Sequence, residues 1–488
     1  MKTKLTLSII LFSLFFSFEK GRAQAPSWQW AKSAGGTFDD VGHSISTDAS
    51  GNVLVTGFFQ SPSITLGTTT LTNAGVNYID IFVVKYDASG NVFWAKSAGG
   101  TSSDWGAGIS TDASGNVLVT GYFGSPSITF GTTTLTNAGT NDMFIVKYDA
   151  SGNVLWAKSE GGTSYDYGYG ISTDASGNVL VTGYFGSPSI TFGTTTLTNA
   201  GDADIFIVKY DASGNVLWAK SVGGTSAEDG FSISTDASEN VLVTGYFASA
   251  SITFGTTTLT NAGFSDIFVV KYDASGNVLW AKSAGGTSND NGAGISTDAS
   301  GEVLVTGYFG SSSITFGTTT LTNAGFSDIF VVKYDASGNV LWAKSAGGTF
   351  YDPGVGISTD PSGNVLVTGF FESPSITFGT TTLTNVSAVG YSDIFVAKLD
   401  GTTGIAEQTP NNGATIYPNP ANDYITIKTN SNKKQVITIT DITGKIIYTT
   451  TILSEKTIIN TKDFSQGVYA VQVQAGDAVE TRKVIVVR

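Results

Sequence analysis

At 488 residues with no cysteine, the chain is long enough for more than one domain, and a disulfide framework or a thiolate metal site is excluded. Sixty glycines beside a 41% hydrophobic content point to a turn-rich all-β protein. Residues 25–413 hold 12 Lys, no Arg and 32 Asp plus Glu, a balance of 12 − 32 = −20, so phosphate backbones and anionic lipid surfaces are repelled and no nucleic-acid partner is expected.

In chain order, residues 1–24 combine Lys2 and Lys4 with an apolar run from Leu5 and an A-x-A-like site at Ala23 to Ala25. This is the pattern of a cleaved secretory signal peptide. The run is too short for a spanning helix, so the mature chain is expected to hold no transmembrane segment.

Residues 25–403 repeat. Trp30, Trp94, Trp156, Trp218, Trp280 and Trp342 are spaced 64, 62, 62, 62 and 62 residues apart, which marks six repeats and a repeat architecture. The word DASGN stands eight times in this region, with DASEN, DASGE and DPSGN as three variants. Its Asp can accept N–H groups two residues on, and its Gly supplies a positive φ, so each copy is a predicted hairpin turn. Apolar, β-branched and aromatic runs flank it. Each repeat therefore holds strand a (GISTD), b (NVLVTGYF), c (DIFVVKYD) and d (NVLWAKSAGG), the content of one propeller blade. SITFGTTTLTNAG, between b and c, is predicted to add a small hairpin. The chain opens on WQWAKSAGG, a strand d with no a, b or c before it, and the last repeat stops at strand c. The expected fold is a six-bladed β-propeller closed by an N-terminal strand, since closure removes exposed blade edges.

The stretch WAKSAGGTSSDWGAGISTDASGNVLVTGYF followed by FIVKYDASGNVLW resembles the bacterial secreted β-propeller repeat family (SBBP) over nearly all of residues 28–400. That resemblance implies a propeller used outside the cell and no particular activity. Family members are usually seven-bladed, whereas this chain supplies six repeats.

Residues 404–413 read as a polar linker. Beyond them, residues 414–488 reverse the charge balance, nine basic against six acidic, and show six or seven short strands, as in a small antiparallel, Ig-like β-sandwich. Tyr417, Pro418, Asn419 and Pro420, then Gly444 within DITGK, Gly467 and Tyr469, and Arg482 with Lys483 make this stretch resemble the type A C-terminal sorting domain of the type IX secretion system of Bacteroidota. The resemblance implies the secretion machinery as partner, export by Sec and then type IX secretion, and an extracellular or outer-membrane surface-attached body.

Catalytic chemistry is poorly supplied. The one histidine, His43, fills a slot taken by Ala107, Tyr169, Phe231, Ala293 and Val355 in the other repeats, so a Ser-His-Asp triad or a multi-His metal site has no residues to draw on. STDASG resembles the Asp-box of sialidases, but Ser50 stands where that pattern wants Gly, and the arginines of sialidases are missing. No catalytic residue, metal or cofactor is expected. A carboxylate recurs at Asp40, Asp104, Asp166, Glu228, Asp290 and Asp352, with capping of the d-to-a loop as its expected job and a cation-binding ring as the alternative.

Where repeats are nearly identical, differences mark specialisation. They concentrate between strands d and a, at Phe38, Trp105, Tyr165, Tyr167, Tyr169, Phe231, Phe350 and Tyr351, and exposed aromatics on rigidly held loops suit a sugar ring or a protein surface. The expected function is a secreted or cell-surface binding scaffold for glycan or protein. The alternatives are a structural or adhesive surface protein without a discrete ligand, and a carboxylate-dependent glycan-cleaving enzyme.

Overall fold

The computed structural model describes residues 30–75, 77–360, 363–386, 391–399, 414–429, 434–441, 445–475 and 478–487. The expected signal peptide, the linker and Gly444 of the sorting motif lie outside these. The chain divides into two compact units between Ser221 and Val222, and each is described by itself.

In the first unit, the opening sheet runs a (Asp40–Thr47), b (Val53–Phe59), c (Asp80–Tyr86) and d (Val92–Ala98), hydrogen-bonded in that order. Two further sheets repeat it: Asp104–Thr111, Val117–Phe123, Asp142–Tyr148 and Val154–Glu160, then Asp166–Thr173, Val179–Phe185, Asp204–Tyr210 and Val216–Val222. All pairings given within these sheets are antiparallel, the meander of a propeller blade. DASGN makes the turns as its chemistry predicts. Asp48 Oδ1 accepts the Ser50 and Asn52 N–H groups at 2.9 and 3.0 Å, and Gly51 adopts φ 76°.

The core lies between sheets. Leu54, Ile81 and Val83 of the first sheet pack with Ile109, Val117, Val119, Phe123 and Phe144 of the second, and the middle of strand c, Ile81 to Val84, is apolar residue after residue because both its faces are covered. The expected extra hairpin is present, as Ser127–Phe130 with Thr133–Thr136 in the second repeat. It turns Ile128, Phe130 and Leu135 into that core and its threonines outward, alternating as a half-buried ribbon must. Trp30 donates Nε1–H to the Ala88 carbonyl at 3.0 Å, as Trp94 does to Ala150 at 3.1 Å. Each tryptophan clasps the c-to-d turn of the next repeat.

The second unit holds the fourth sheet (Glu228–Thr235, Val241–Phe247, Asp266–Tyr272, Val278–Ala284) and the fifth (Asp290–Thr297, Val303–Phe309, Asp328–Tyr334, Val340–Ala346), both in the order a-b-c-d. The sixth departs from expectation. Gly354–Thr359, Val365–Phe371 and Asp393–Leu399 form a three-stranded sheet, and no fourth strand joins it among the described residues. Ile394 and Val396 are 83% and 69% exposed, where Ile81 and Val83 of the first repeat are at 1%. The blades are those expected, but the predicted pairing of the opening segment with the last strand c is not observed. Residues 30–36 are not a strand; Trp30 anchors them to the sheet that follows them in sequence.

The sandwich of the second unit has seven strands among the described residues: Thr415–Tyr417, Tyr424–Lys428 and Lys456–Asn460 in one sheet, and Gln435–Asp441, Ile446–Ile452, Gly467–Ala475 and Ala478–Val486 in the other. Ile425, Ile427 and Ile459 from the first sheet meet Ile437, Ile439, Val471 and Val484 from the second in one core.

Candidate functional site

Strand a is where the structure corrects the sequence reading. It begins at the recurring carboxylate, so Trp105, Tyr167, Tyr169 and Phe231, expected in d-to-a loops, stand on strands. Phe38 and Phe350 remain in the loops, 57% and 45% exposed, and Tyr165, 49% exposed, and Tyr351 make isolated bridges to Asn141 and Ser327.

Each strand a is bulged. The a-to-b register shifts between Gly42 and Ser44, Gly106 and Gly108, Gly168 and Gly170, and Gly230 and Ser232, and the skipped residues are His43, Ala107, Tyr169 and Phe231. One of the slots that vary between repeats is thus the extra residue of a β-bulge, which re-aims a side chain without disturbing the ladder beyond it. The bulge also explains a fixed residue. A Cβ on Gly121 or Gly183 of strand b would run into the Trp105 or Tyr167 carbonyl oxygen.

The recurring carboxylate is structural, as expected. Asp104 accepts Ser125 N–H and Oγ–H at 3.1 and 2.7 Å. Asp166 accepts Gly162 N–H at 2.8 Å and Ser187 Oγ–H at 2.6 Å, and Glu228 does the same with Gly224 and Ser249 N–H at 2.8 and 2.9 Å. Each ties its own d-to-a loop to the residues after strand b. Among the described residues no group of three or more His, Asp or Glu is placed to hold a metal ion.

The bulges and strand b together build an aromatic wall that the sequence reading only half found. In the first unit, Trp105 lies 4.3 Å from Phe58, 5.4 Å from His43 and 6.1 Å from Tyr122 between ring centroids. Tyr122 stacks on Tyr167 at 4.0 Å, and Tyr167 meets Tyr165, Tyr169 and Tyr184 at 6.1, 6.1 and 4.9 Å. Contacts in this range favour edge-to-face and offset rings over isolated ones. Phe58, Tyr122 and Tyr184 leave no mark among the differences between repeats, because they belong to the VTGYF or VTGFF word that the repeats share. The available signal was their place directly across the ladder from Val41, Trp105 and Tyr167.

The wall carries no cation. Every lysine of the repeats lies on strand c or strand d or, as Lys32, in the opening d-like segment. Those of strand c reach the a-to-b turns instead, with Lys85 on Asp48 at 2.9 Å and Lys209 on Asp174 at 2.8 Å, both pairs buried. His43 is held below its ordinary pKa by burial, and its Nδ1–H donates to the Ala107 carbonyl at 3.1 Å.

At the other end of the chain, Asn419 is stitched to the last strand. Its Nδ2–H donates to the Lys483 carbonyl at 2.8 Å and its Oδ1 accepts Ile485 N–H at 2.9 Å. Tyr469 donates its hydroxyl to the Ser465 carbonyl at 2.8 Å and packs on Phe464. Residues 415–487 match the family described as "Secretion system C-terminal sorting domain". These residues are a type IX sorting domain. The sorting domain directs export by type IX secretion to the cell surface or the extracellular space, and it is the part of the chain that engages the secretion machinery. No helix among the described residues is long and apolar enough to cross a membrane.

Over 117 residues, 23% of its length, the chain is 32% identical to an uncharacterized WD repeat-containing protein of Acanthamoeba polyphaga mimivirus, of which it covers 8%. Over 108 residues, 22% of its length, it is 31% identical to the regulatory protein FlaEY of Caulobacter vibrioides, covering 11%. It therefore spans about a tenth of the length of these curated relatives. Among solved structures, the Neurospora crassa Pan2 WD40 domain matches at 12% identity and TM-score 0.30, covering 67% of this chain and 74% of that one. PorZ of the Porphyromonas gingivalis type-IX secretion system matches at 13% identity and TM-score 0.16, covering 92% and 81%. Superpositions this loose bear on neither fold nor function.

Proposed function

We propose that the protein is a secreted or surface-held binding scaffold that recognises a glycan or protein through the aromatic wall on strands a and b. One observation carries this reading: the rings from His43 and Phe58 through Trp105, Tyr122 and Tyr167 to Tyr169 and Tyr184 form an unbroken series across three sheets, in which the strand-a members stand where the repeats differ and the strand-b members where they agree. Partly exposed rings fixed on a rigid frame present large contact area at low entropic cost. The absence of lysine and arginine from these positions favours neutral or cationic ligands over anionic ones. A catalytic role is not part of this reading.

The test is binding by the full chain on a glycan array and on whole cells, with the variant Tyr165→Ala/Tyr169→Ala compared with the unaltered chain. Affinity is expected to fall about tenfold or more, as for loss of aromatic anchors, with the thermal midpoint nearly unchanged. Equal binding by both proteins would overturn the reading.

A second reading has its own observation. The six small hairpins present solvent-facing threonine pairs, such as Thr129 with Thr134 and Thr191 with Thr196, both at 3.0 Å, and such a regular surface suits an adhesive or structural coat.

A further inference from the structure

The position of strand a that faces strand b across the ladder is Val41, Trp105 and Tyr167 in the first unit. In the second unit it is Asp229, paired with Tyr246, and Asn291, paired with Tyr308. Asp229 is the only acid among these. Its strand neighbour Glu228 is consumed by the loop it caps, but Asp229 points to the opposite face of the strand, as the period of two requires. There it shares a hydrogen bond with the Tyr246 hydroxyl. Phe231, the bulge residue, closes the other side, its ring 5.7 Å from that of Tyr246 and tilted by 43°. None of the ion pairs among the described residues involves Asp229. Burial, with Glu228 adding to it against the opposing Tyr246 hydrogen bond, raises its carboxyl to about 7. An acid is thus kept in an aromatic corner with no counter-charge.

We propose that Asp229, Phe231 and Tyr246 form a recognition corner for an alkylammonium group, the side chain of a lysine on a protein partner. The Asp229 carboxyl, which ionises as a cation approaches, supplies the charge, and two rings supply the quadrupoles that a cation seeks. The tilt between the rings makes a corner and not a platform, so a slender side chain enters where a flat sugar ring does not. The strongly acidic body draws a basic partner in over longer range. The inference rests on the reading of strands a and b as a recognition surface and names the chemistry at the equivalent positions of the fourth sheet.

The test uses the full chain and small probes in calorimetric titration: N-acetyl-lysinamide, its Nε-trimethyl form, the uncharged N-acetyl-norleucinamide, and glucosamine. Both lysine probes are expected to bind saturably and norleucinamide not to bind. Asp229→Asn and, separately, Phe231→Leu are expected to weaken the lysine probes about tenfold or more, and circular dichroism of each variant checks that it folds. No binding of the lysine probes, binding unchanged in Asp229→Asn, or glucosamine bound more tightly than lysine would each overturn the proposal. A chain that captures ligands on the array or on cells yet ignores the lysine probes sinks this inference alone. Silence in all of these assays sinks the recognition reading with it.

Discussion

At the scale of single residues, one repeated word serves two purposes. In the c-to-d turns, Asp87 and Asp149 are held below their ordinary pKa by the side chain and N–H of the Asn four residues on. In the a-to-b turns, Asp112 and Asp174 have the same Asn contacts but also a buried lysine from strand c, Lys147 at 2.9 Å and Lys209 at 2.8 Å. Burial pushes these carboxyls up, and the lysine and asparagine bonds more than reverse it. The turn also shows what its glycine is for. Gly51, Gly115, Gly177, Gly301 and Gly363 hold φ of 76 to 80°, and in the one copy spelled DASEN that place is taken by Glu239 at φ 61°. A side chain there costs about 1 kcal/mol. Glu239→Gly is therefore expected to stabilise the protein by about 1 kcal/mol in urea unfolding, and a loss of stability would mean that the glutamate makes up for its strain elsewhere.

At the scale of elements, the bulge of strand a and the glycine of strand b are one device. The extra residue lifts strand a, and Gly183 lets its partner pass, since a Cβ there would meet the Tyr167 carbonyl oxygen and come within 3.0 Å of the Phe206 ring. Gly183→Ala is expected to cost about 2 kcal/mol or more, in the range of forced overpacking, measured by chemical denaturation; a neutral result would show that the bulge can flatten. The same device limits what sequence could reveal. DASGN turns, the strands b to d they join and the extra hairpin were legible because turn chemistry and period-two patterning are local. The bulge was not, because an inserted residue looks like loop when Gly flanks it on both sides, as at Tyr169. Hence Trp105, Tyr167 and Phe231 read as loop residues, and Tyr122 and Tyr184, which stand in a word shared by the repeats, carry no signal of their own. The lysine of KYD gave no warning that it would cross to the other turn, because that contact depends on strand order and not on spacing.

At the scale of the whole molecule, the repeated buried carboxylates set a shared response to pH. Asp80, Asp142, Asp266 and Asp328, which open strand c, lie within 2% exposure, and burial raises each to about 6. A raised folded-state pKa gives stability that is in place below the unfolded value and lost as pH climbs through about 6. The depressed carboxyls of the lysine-bound turns act oppositely, contributing above about 4 and losing it as pH falls. The unfolding free energy should accordingly peak in mildly acidic buffer and decline from pH 5 to pH 8, by up to about 2 kcal/mol per repeat, the thermal midpoint falling with it, and Asp142→Asn should flatten part of that slope. A midpoint that climbs steadily to pH 8 would contradict it. Near-identity of the six repeats has a further consequence for how the chain reaches its folded state. Every strand b finds several chemically equivalent strands c, so a nascent chain can join a blade from mismatched copies at almost no enthalpic penalty. Only the shorter loop of the correct partner discriminates, and its entropic advantage grows merely with the logarithm of separation. Slow refolding with kinetic traps follows from such degeneracy.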